Sequence, residues 1–310
     1  MKNVLITCPP MLGVIDRFAK RFSEHEFQIT APTIRQTLSE QELIDLVPKH
    51  DGWIIGDDQV TESVLHAGKQ GLLKGAVKWG IGVDNLDLAA FEKLEIPVTN
   101  TPNMFGAEVA DLAMCYLTSC ARDTFQIDRA VRSWHGPKPC GISLAEKKVA
   151  VIGLGDIGRN LVTRLKAADM IVVGYDPGIT QLDDDAGLTL KRWPDGIDQV
   201  DFIVITCALT DSSFHLLNDK ILSKVKYGVR IVNVARGPII EEQALVRALE
   251  SGKVHSAALD VFEDEPLRRD NKLRTFDNCI FGSHNASNTI EGVERTSVTA
   301  INKLAEMLRE

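Results

Sequence analysis

One short segment constrains the fold of this 310-residue chain more than any other. It reads Val149-Ala-Val-Ile-Gly153-Leu-Gly155-Asp-Ile-Gly158: an apolar run, then glycines at Gly-x-Gly-x-x-Gly spacing. The run reads as a strand, the glycines as a tight turn, and the residues to about Ala168 as a helix. Gly153 permits the turn. Gly155 removes a side chain where a ligand would approach the backbone, and Gly158 lets the helix pack close to the strand. Free N–H groups and the dipole at the helix N-terminus then favour a pyrophosphate. A second strand, Met170 to Tyr175, ends at Asp176, about 20 residues on. A carboxylate there accepts hydrogen bonds from ribose hydroxyls and repels a 2′-phosphate, which predicts NAD over NADP. The unit starts about 150 residues into the chain, so another domain is expected to fold before it.

That earlier part reads as a second, smaller α/β unit. Val4-Leu-Ile, Gly52-Trp-Ile-Ile, Ala76-Val-Lys-Trp and Pro97-Val-Thr-Asn are strand candidates. Helical patterns lie between them at Ser39 to Val47, where Ser39 and Glu42 have capping-box spacing, and at Thr61 to Lys69. Ala107 to Thr124 is apolar around more than one face, as expected of a core or interface helix. The glycines and prolines of residues 136–147 mark a loop. Later strands are expected at 201–206, 229–234, 256–260 and 279–281, and helices at 241–251 and 290–309. Alternation of strand and helix predicts parallel sheets.

Bulk properties narrow the partners. A net charge of −8 argues against nucleic acid or an anionic membrane as the main partner. Six cysteines without a Cys-x-x-Cys pair fit reduced thiols in a cytoplasmic protein. No metal site is expected. The first residues read as a strand rather than a signal peptide, and no run is long enough to span a membrane.

Three residues at strand ends of the second half suggest chemistry. Arg236 ends Ile231-Val-Asn-Val-Ala-Arg, Glu265 follows Leu259-Asp-Val-Phe, and His284 follows Cys279-Ile-Phe-Gly-Ser. In an open parallel sheet the carboxyl ends of strands face the ligand. Histidine suits proton exchange near neutral pH, a carboxylate would orient it and favour its charged form, and arginine can hold a carboxylate through two hydrogen bonds. Together they match a 2-hydroxy acid and its 2-keto partner. Singly, Arg236 could cap a helix, Glu265 could be one more solvated member of Glu263-Asp-Glu265, and His284 could be a loop histidine. His215 and His255 compete, but read as helix-like and pre-strand; His135, beside Trp134, could reach the site from a loop.

Several motifs in one order make the chain resemble the D-isomer-specific 2-hydroxyacid dehydrogenases, the phosphoglycerate dehydrogenase-like group. They are Lys78-Trp-Gly-Ile-Gly-Val-Asp-Asn-Leu-Asp87, Ile96-Pro-Val-Thr-Asn-Thr-Pro102, Val109-Ala-Asp111, the glycine fingerprint, Asn233-Val-Ala-Arg-Gly237, Ala258-Leu-Asp-Val-Phe262 with Glu265-Pro266, and Ser283-His284. The resemblance implies two Rossmann-like doubly wound parallel-sheet domains. The NAD-binding domain (102–284) would be inserted into a discontinuous substrate-binding domain (1–101 plus 285–310), with a cleft that closes over the ligand. It implies an NAD-dependent oxidoreductase acting on a small D-2-hydroxy acid, with His284 as acid/base, Glu265 as its orienting partner and Arg236 as the clamp. Asp156 and Ile157 would meet the pyrophosphate. Cys207, Val234 and Ala235 would line the cofactor, Asp260 would contact the nicotinamide carboxamide, and Asn285 to Ser287, with Ala286, would close over it. The Gly80–Val83 backbone (Ile81, Gly82, Val83), with Lys78, would hold the substrate. The helix near 107–124 would help form a homodimer, and no regulatory domain is expected after the last helix.

The chain also departs from the family pattern. Ser283 stands where proline is common, and Ala208-Leu-Thr210 replaces Pro-Leu-Thr. Phosphoglycerate enzymes often carry arginines after the third early strand; here the segment is Gly56-Asp57-Asp58-Gln59, which repels a phosphate unless Lys78 compensates. Rival readings are an NAD-sensing binding protein of the corepressor kind and phosphite oxidation on the same fold. Formate oxidation ranks lower, because that branch has Gln where Glu265 stands.

Overall fold

The computed structural model describes residues 1–34, 36–180 and 187–309. They divide into two compact units, residues 1–104 with 288–310 and residues 105–287.

The first unit holds β1 (Lys2–Ile6), β2 (Phe27–Thr30), β3 (Gly52–Ile55), β4 (Gly75–Lys78) and β5 (Val98–Asn100) in one parallel sheet of order β2-β1-β3-β4-β5. Its connecting helices are α1 (Pro9–Leu12), α2 (Ala19–Glu24), α3 (Glu40–Leu46), α4 (Glu62–Gln70) and α5 (Leu88–Lys93). Ser39 starts α3 with the expected capping box: Glu42 N–H donates to the serine hydroxyl, and the Glu42 carboxylate accepts from Ser39 N–H. One core gathers Leu43, Trp53, Ile55, Leu65 and Phe91. The last helix, Ile290–Met307, packs on β3 and β4. It lies so close that a Cβ on Gly52 would sit 2.9 Å from Leu308, and one on Gly75 would meet the Met307 sulfur. β2 was not among the expected strands. It is an edge strand with one buried residue in four, so Phe-Gln-Ile-Thr carries no continuous apolar run.

The second unit opens with α6 (Gly106–Arg122) and α7 (Thr124–Arg132), followed by the residues predicted as a loop. Then come β6 (Lys148–Ile152), α8 (Asp156–Ala167), β7 (Ile171–Tyr175), β8 (Thr189–Leu190), β9 (Phe202–Ile205), α9 (Asp219–Leu222), β10 (Val229–Asn233), α10 (Glu242–Glu250), β11 (Val254–Leu259) and β12 (Ile280–Phe281). The strands form a parallel sheet of order β12-β11-β10-β9-β6-β7-β8. The apolar runs β6, β9 and β10 are buried almost throughout, as a parallel sheet covered on both faces requires. Arg230 and Asn233 are the polar residues in β10, and Arg230 is satisfied in the sheet. Its Nε donates to the Cys120 carbonyl, and its guanidinium lies 5.7 Å from the Phe202 ring centroid. α6 packs on α8, β10 and β11, and buries residues on several sides. The helix α7 was not anticipated. Its apolar residues recur at helical spacing, yet none of its residues is buried.

Candidate active site

The order of the larger sheet reverses between β6 and β9, the point where an open α/β sheet binds its ligand. The glycine fingerprint stands there. Gly153 has φ 96°, and a Cβ on it would lie 2.5 Å from the backbone nitrogen of Cys207, so both conformation and space demand glycine. A Cβ on Gly158 would lie 2.0 Å from the Gly153 carbonyl oxygen, which fixes the helix against the turn. Gly155 differs from both. It is exposed, its φ is −68°, and a Cβ there would meet nothing within 4 Å. Nothing inside the protein requires glycine at 155, so the open space fits a ligand that comes down on the backbone.

Gly155 is also the N-cap of α8 and supplies no side-chain cap, so the helix end keeps its donors for an anion. Asp176 follows β7, with Oδ2 accepting from Leu154 N–H at 2.8 Å and Oδ1 from Gly178 N–H at 2.9 Å. Each oxygen keeps a second lone pair, which suits ribose hydroxyls. Among the fingerprint neighbours, the Asp156 carboxylate lies against Gly106, where a Cβ would come within 2.5 Å of it, and Ile157 is half-buried. Burial pushes the Cys207 thiol up to about 11, so it lines the turn as a neutral thiol.

We expect Gly155→Val to keep its melting temperature within about 2 °C of wild type while NADH binding weakens by at least about 30-fold. Thermal unfolding and NADH fluorescence titration read the two effects separately. A loss of stability that accompanied the loss of binding would count against the open-cradle reading.

Arg236 sits on a stapled turn after β10. The Asn233 side chain closes it: Oδ1 accepts from Ala235 N–H at 3.0 Å, and Nδ2 donates to the Arg236 carbonyl at 2.9 Å. Gly237 follows because a Cβ there would lie 1.9 Å from the Phe262 carbonyl carbon. Arg236 Nη1 donates to the Ala235 carbonyl at 2.9 Å. Val234 and Ala235, within this turn, are buried. Asn233 had no role assigned from sequence. The signal was present, since Asn at a strand end bonds the backbone two residues on.

Glu265 and His284 meet directly. His284 Nδ1 lies 2.9 Å from Glu265 Oε2, and Glu265 Oε1 accepts from Phe262 N–H at 3.0 Å. Glu265 is therefore a buttressed partner rather than one more solvated acid of its cluster. His284 has φ 57°, a left-handed conformation costly for a side chain with a Cβ. Asp260 holds that backbone. Its carbonyl accepts from His284 N–H at 2.7 Å, and its Oδ2 accepts from Ala286 N–H at 2.9 Å. Asp260 is 1% exposed, and burial raises its carboxyl above the usual range. Tyr116 of α6 donates to Asp260 Oδ1 at 3.4 Å, and its hydroxyl is likewise raised by burial. Gly282 must be glycine, since a Cβ would lie 2.0 Å from Asp260 Oδ1. Tyr116 and Gly282 were missed in the sequence, because nothing local links a helix residue to a loop so far along the chain. Asn285 is exposed beside Ala286.

The competing histidines lie elsewhere in this unit. His215 is in a turn with φ 47°, not the helix-like setting expected. It stacks on Phe214, and its Nε2 is 2.8 Å from Glu263 Oε1. His255 lies within β11 rather than before it, and burial lowers its pKa. His135 is exposed beside the exposed Trp134.

In the first unit, the Gly80–Val83 segment follows β4. Gly80 has φ 118° and its N–H donates to Thr101 Oγ1 at 2.7 Å, while Asn100 Nδ2 donates to the Ile81 carbonyl at 2.8 Å. Among the described residues no partner is seen for the N–H groups of Ile81, Gly82 and Val83. Lys78 is not a solvent-facing cation. It is 2% exposed, with Nζ bonded to the Gly56 carbonyl and 2.9 Å from Asp57 Oδ1. No cluster of three or more metal-ligating side chains occurs among the described residues, and no helix there is long and apolar enough to cross a membrane.

Comparison with known proteins bears on this site. Residues 114–286 match the model of the D-isomer-specific 2-hydroxyacid dehydrogenase NAD-binding domain. The chain is 32% identical to the hydroxypyruvate reductase of Thermotoga maritima over 92% of each chain. It is 34% identical over 91% of its length to the D-3-phosphoglycerate dehydrogenase of Synechocystis, of which it spans 51%. The crystal structure of the TT0316 protein from Thermus thermophilus aligns with a TM-score of 0.87 at 26% identity, over 99% of this chain and 97% of that one. The stapled arginine turn, the buttressed His–Glu pair and the open glycine cradle thus sit on a chain that belongs to the D-isomer-specific 2-hydroxyacid dehydrogenase family and carries its NAD-binding domain.

Proposed function

We propose that the protein interconverts a small D-2-hydroxy acid and its 2-keto acid with NAD. The observation that carries this reading is the His284–Glu265 pair, 2.9 Å apart, held in a loop whose backbone Asp260 fixes. NAD, when bound, accepts or returns the hydride. The rest is the work of side chains. With Nδ1 turned to Glu265, Nε2 is the atom through which His284 takes the hydroxyl proton or gives it to the keto oxygen. Glu265 selects the tautomer with hydrogen on Nδ1 and favours the imidazolium that forms on oxidation. Arg236 holds the substrate carboxylate and draws charge from the keto oxygen. Gly153, Gly155 and Gly158, with the Asp156 and Ile157 backbone, cradle the pyrophosphate, and Asp176 takes the ribose. Cys207, Val234, Ala235, Asp260, Asn285 and Ala286 enclose the nicotinamide half. The N–H groups of Ile81, Gly82 and Val83 serve the substrate carboxylate. Lys78 acts behind them by anchoring its neighbouring loop.

The test is NADH oxidation measured over glyoxylate, hydroxypyruvate, pyruvate, 3-phosphohydroxypyruvate and bulkier 2-keto acids, with NADPH as the alternative donor. Turnover of at least one 2-keto acid with NADH supports the reading. NADH binding without turnover of any of them, or a clear preference for NADPH, would count against it.

A second copy of the chain is the proposed partner. α7 and the segment after it leave Phe125, Val131 and Trp134 at 39%, 58% and 99% exposure, apolar area for a second copy to cover. Sedimentation is expected to give a dimer, and a Val131→Asp, Trp134→Asp double variant a monomer. A monomeric wild type would remove the proposal.

A further inference from the structure

We propose that the substrate is a 2-hydroxy acid without a phosphate group, and that the Asp57–Lys78 ion pair enforces the exclusion. This rests on the reading above that the first unit contributes to the substrate site.

The sheet of that unit runs β2-β1-β3-β4-β5, so its order reverses between β1 and β3. In sheets of this order the ligand crevice lies outside the carboxyl ends of those two strands. Thr7 and Cys8 follow β1 there, and Gly56, Asp57 and Asp58 follow β3. The segment is locked in place. A Cβ on Gly56 would lie 2.4 Å from the Thr7 carbonyl oxygen. Asn85 Nδ2 donates to the carbonyls of Gly56 at 3.2 Å and Asp58 at 2.7 Å. Asp58 Oδ1 accepts from Leu38 N–H at 2.8 Å. The backbone of this loop cannot move away from an incoming anion without breaking several buried bonds.

Its charge is the second point. The loops leaving β3 and β4 carry the carboxylates Asp57, Asp58, Asp84 and Asp87; Lys78 at the end of β4 pairs with Asp57, and Arg295 of the last helix is bonded to the Met104 carbonyl after β5. The Lys78 ammonium is buried and already bonded to Asp57 and to the Gly56 carbonyl, whereas the Asp57 side chain is half exposed. An approaching ligand meets the acid and not the base. Asp58 is fully buried, and its Oδ2 has no hydrogen-bond partner among the described residues. A phosphate dianion beside Asp57 would face a like charge whose cation lies buried behind it. A hydroxyl or hydrogen on the third carbon of the substrate meets no such cost. The class selected is therefore the unphosphorylated acid, with glycerate and hydroxypyruvate as the probes.

The experiment compares NADH-dependent reduction of hydroxypyruvate and 3-phosphohydroxypyruvate by wild type and Asp57→Asn. The amide keeps an acceptor for Lys78 and removes the charge. Wild type is expected to favour hydroxypyruvate by about 100-fold in kcat/KM. Asp57→Asn should narrow that ratio at least about fivefold at low salt and less at high salt. In parallel, the NAD-loaded protein is titrated calorimetrically with D-glycerate and D-3-phosphoglycerate, which needs no turnover. Equal or tighter binding of the phosphorylated acid, binding of neither acid, or a ratio unmoved by Asp57→Asn overturns the inference. Binding of glycerate over phosphoglycerate without turnover of any 2-keto acid would instead leave it standing and sink the catalytic reading.

Discussion

His284→Ala is expected to lower kcat by about 10³-fold while NADH binding stays within about twofold of wild type. The expectation follows from where the imidazole is held. Its Nδ1 faces Glu265 Oε2 at 2.9 Å, and the backbone N–H of His284 is bonded to the Asp260 carbonyl. Neither contact involves the glycine cradle at Gly153–Gly158, so the cofactor site should survive the change. Glu265→Gln makes the companion test. The carboxylate now accepts at both oxygens, from Phe262 N–H and from the histidine. An amide has one oxygen and one NH₂, so it cannot accept from both Phe262 N–H and an Nδ1–H. If the NH₂ faces Nδ1, the neutral ring carries hydrogen on Nε2 and cannot take the substrate proton. If it faces Phe262, two donors collide. Either way kcat should fall by about 10²-fold, with a smaller change in KM. Near wild-type turnover in His284→Ala would remove the proton-transfer assignment.

Much of this site was legible because its parts lie at strand ends, and strand ends are local features. Arg236, Glu265 and His284 each follow an apolar run, and the sheet rule alone brings them to one edge. The fingerprint was legible for the same reason, as was the capping box at Ser39. What escaped reading was set by contacts remote in sequence. Gly237 is required by Phe262, Gly282 by Asp260 and Tyr116, and Lys78 is neutralised by Asp57. The sequence shows a glycine or a lysine at these places but not its neighbour. β2 and α7 escaped for a different reason. β2, a sheet edge, carries no continuous apolar run, whereas α7 carries apolar residues at helical spacing but is short and buries none of them. The left-handed φ of His284 was equally unreadable, since it depends on the Asp260 anchor.

Arg236→Lys should cost about 10³-fold in kcat/KM for a 2-keto acid and leave the fold intact. The turn that presents the side chain is built without it. Asn233 bonds the backbone of Ala235 and Arg236, and Gly237 seats that backbone on Phe262. Melting temperature should therefore move by no more than about 2 °C. Lysine keeps the charge, so attraction for an anion persists. What it loses is the planar fork that fits both carboxylate oxygens at once and fixes the keto carbon beside the hydride donor. Oxamate, a carboxylate mimic of the keto acid, separates the two contributions. Its binding to the NADH complex should weaken by about tenfold, less than the loss in kcat/KM, because part of the clamp acts only as charge develops on the keto oxygen. If Arg236 merely closed its own turn through the Ala235 carbonyl, the lysine variant would lose stability, and its affinity for oxamate would not change.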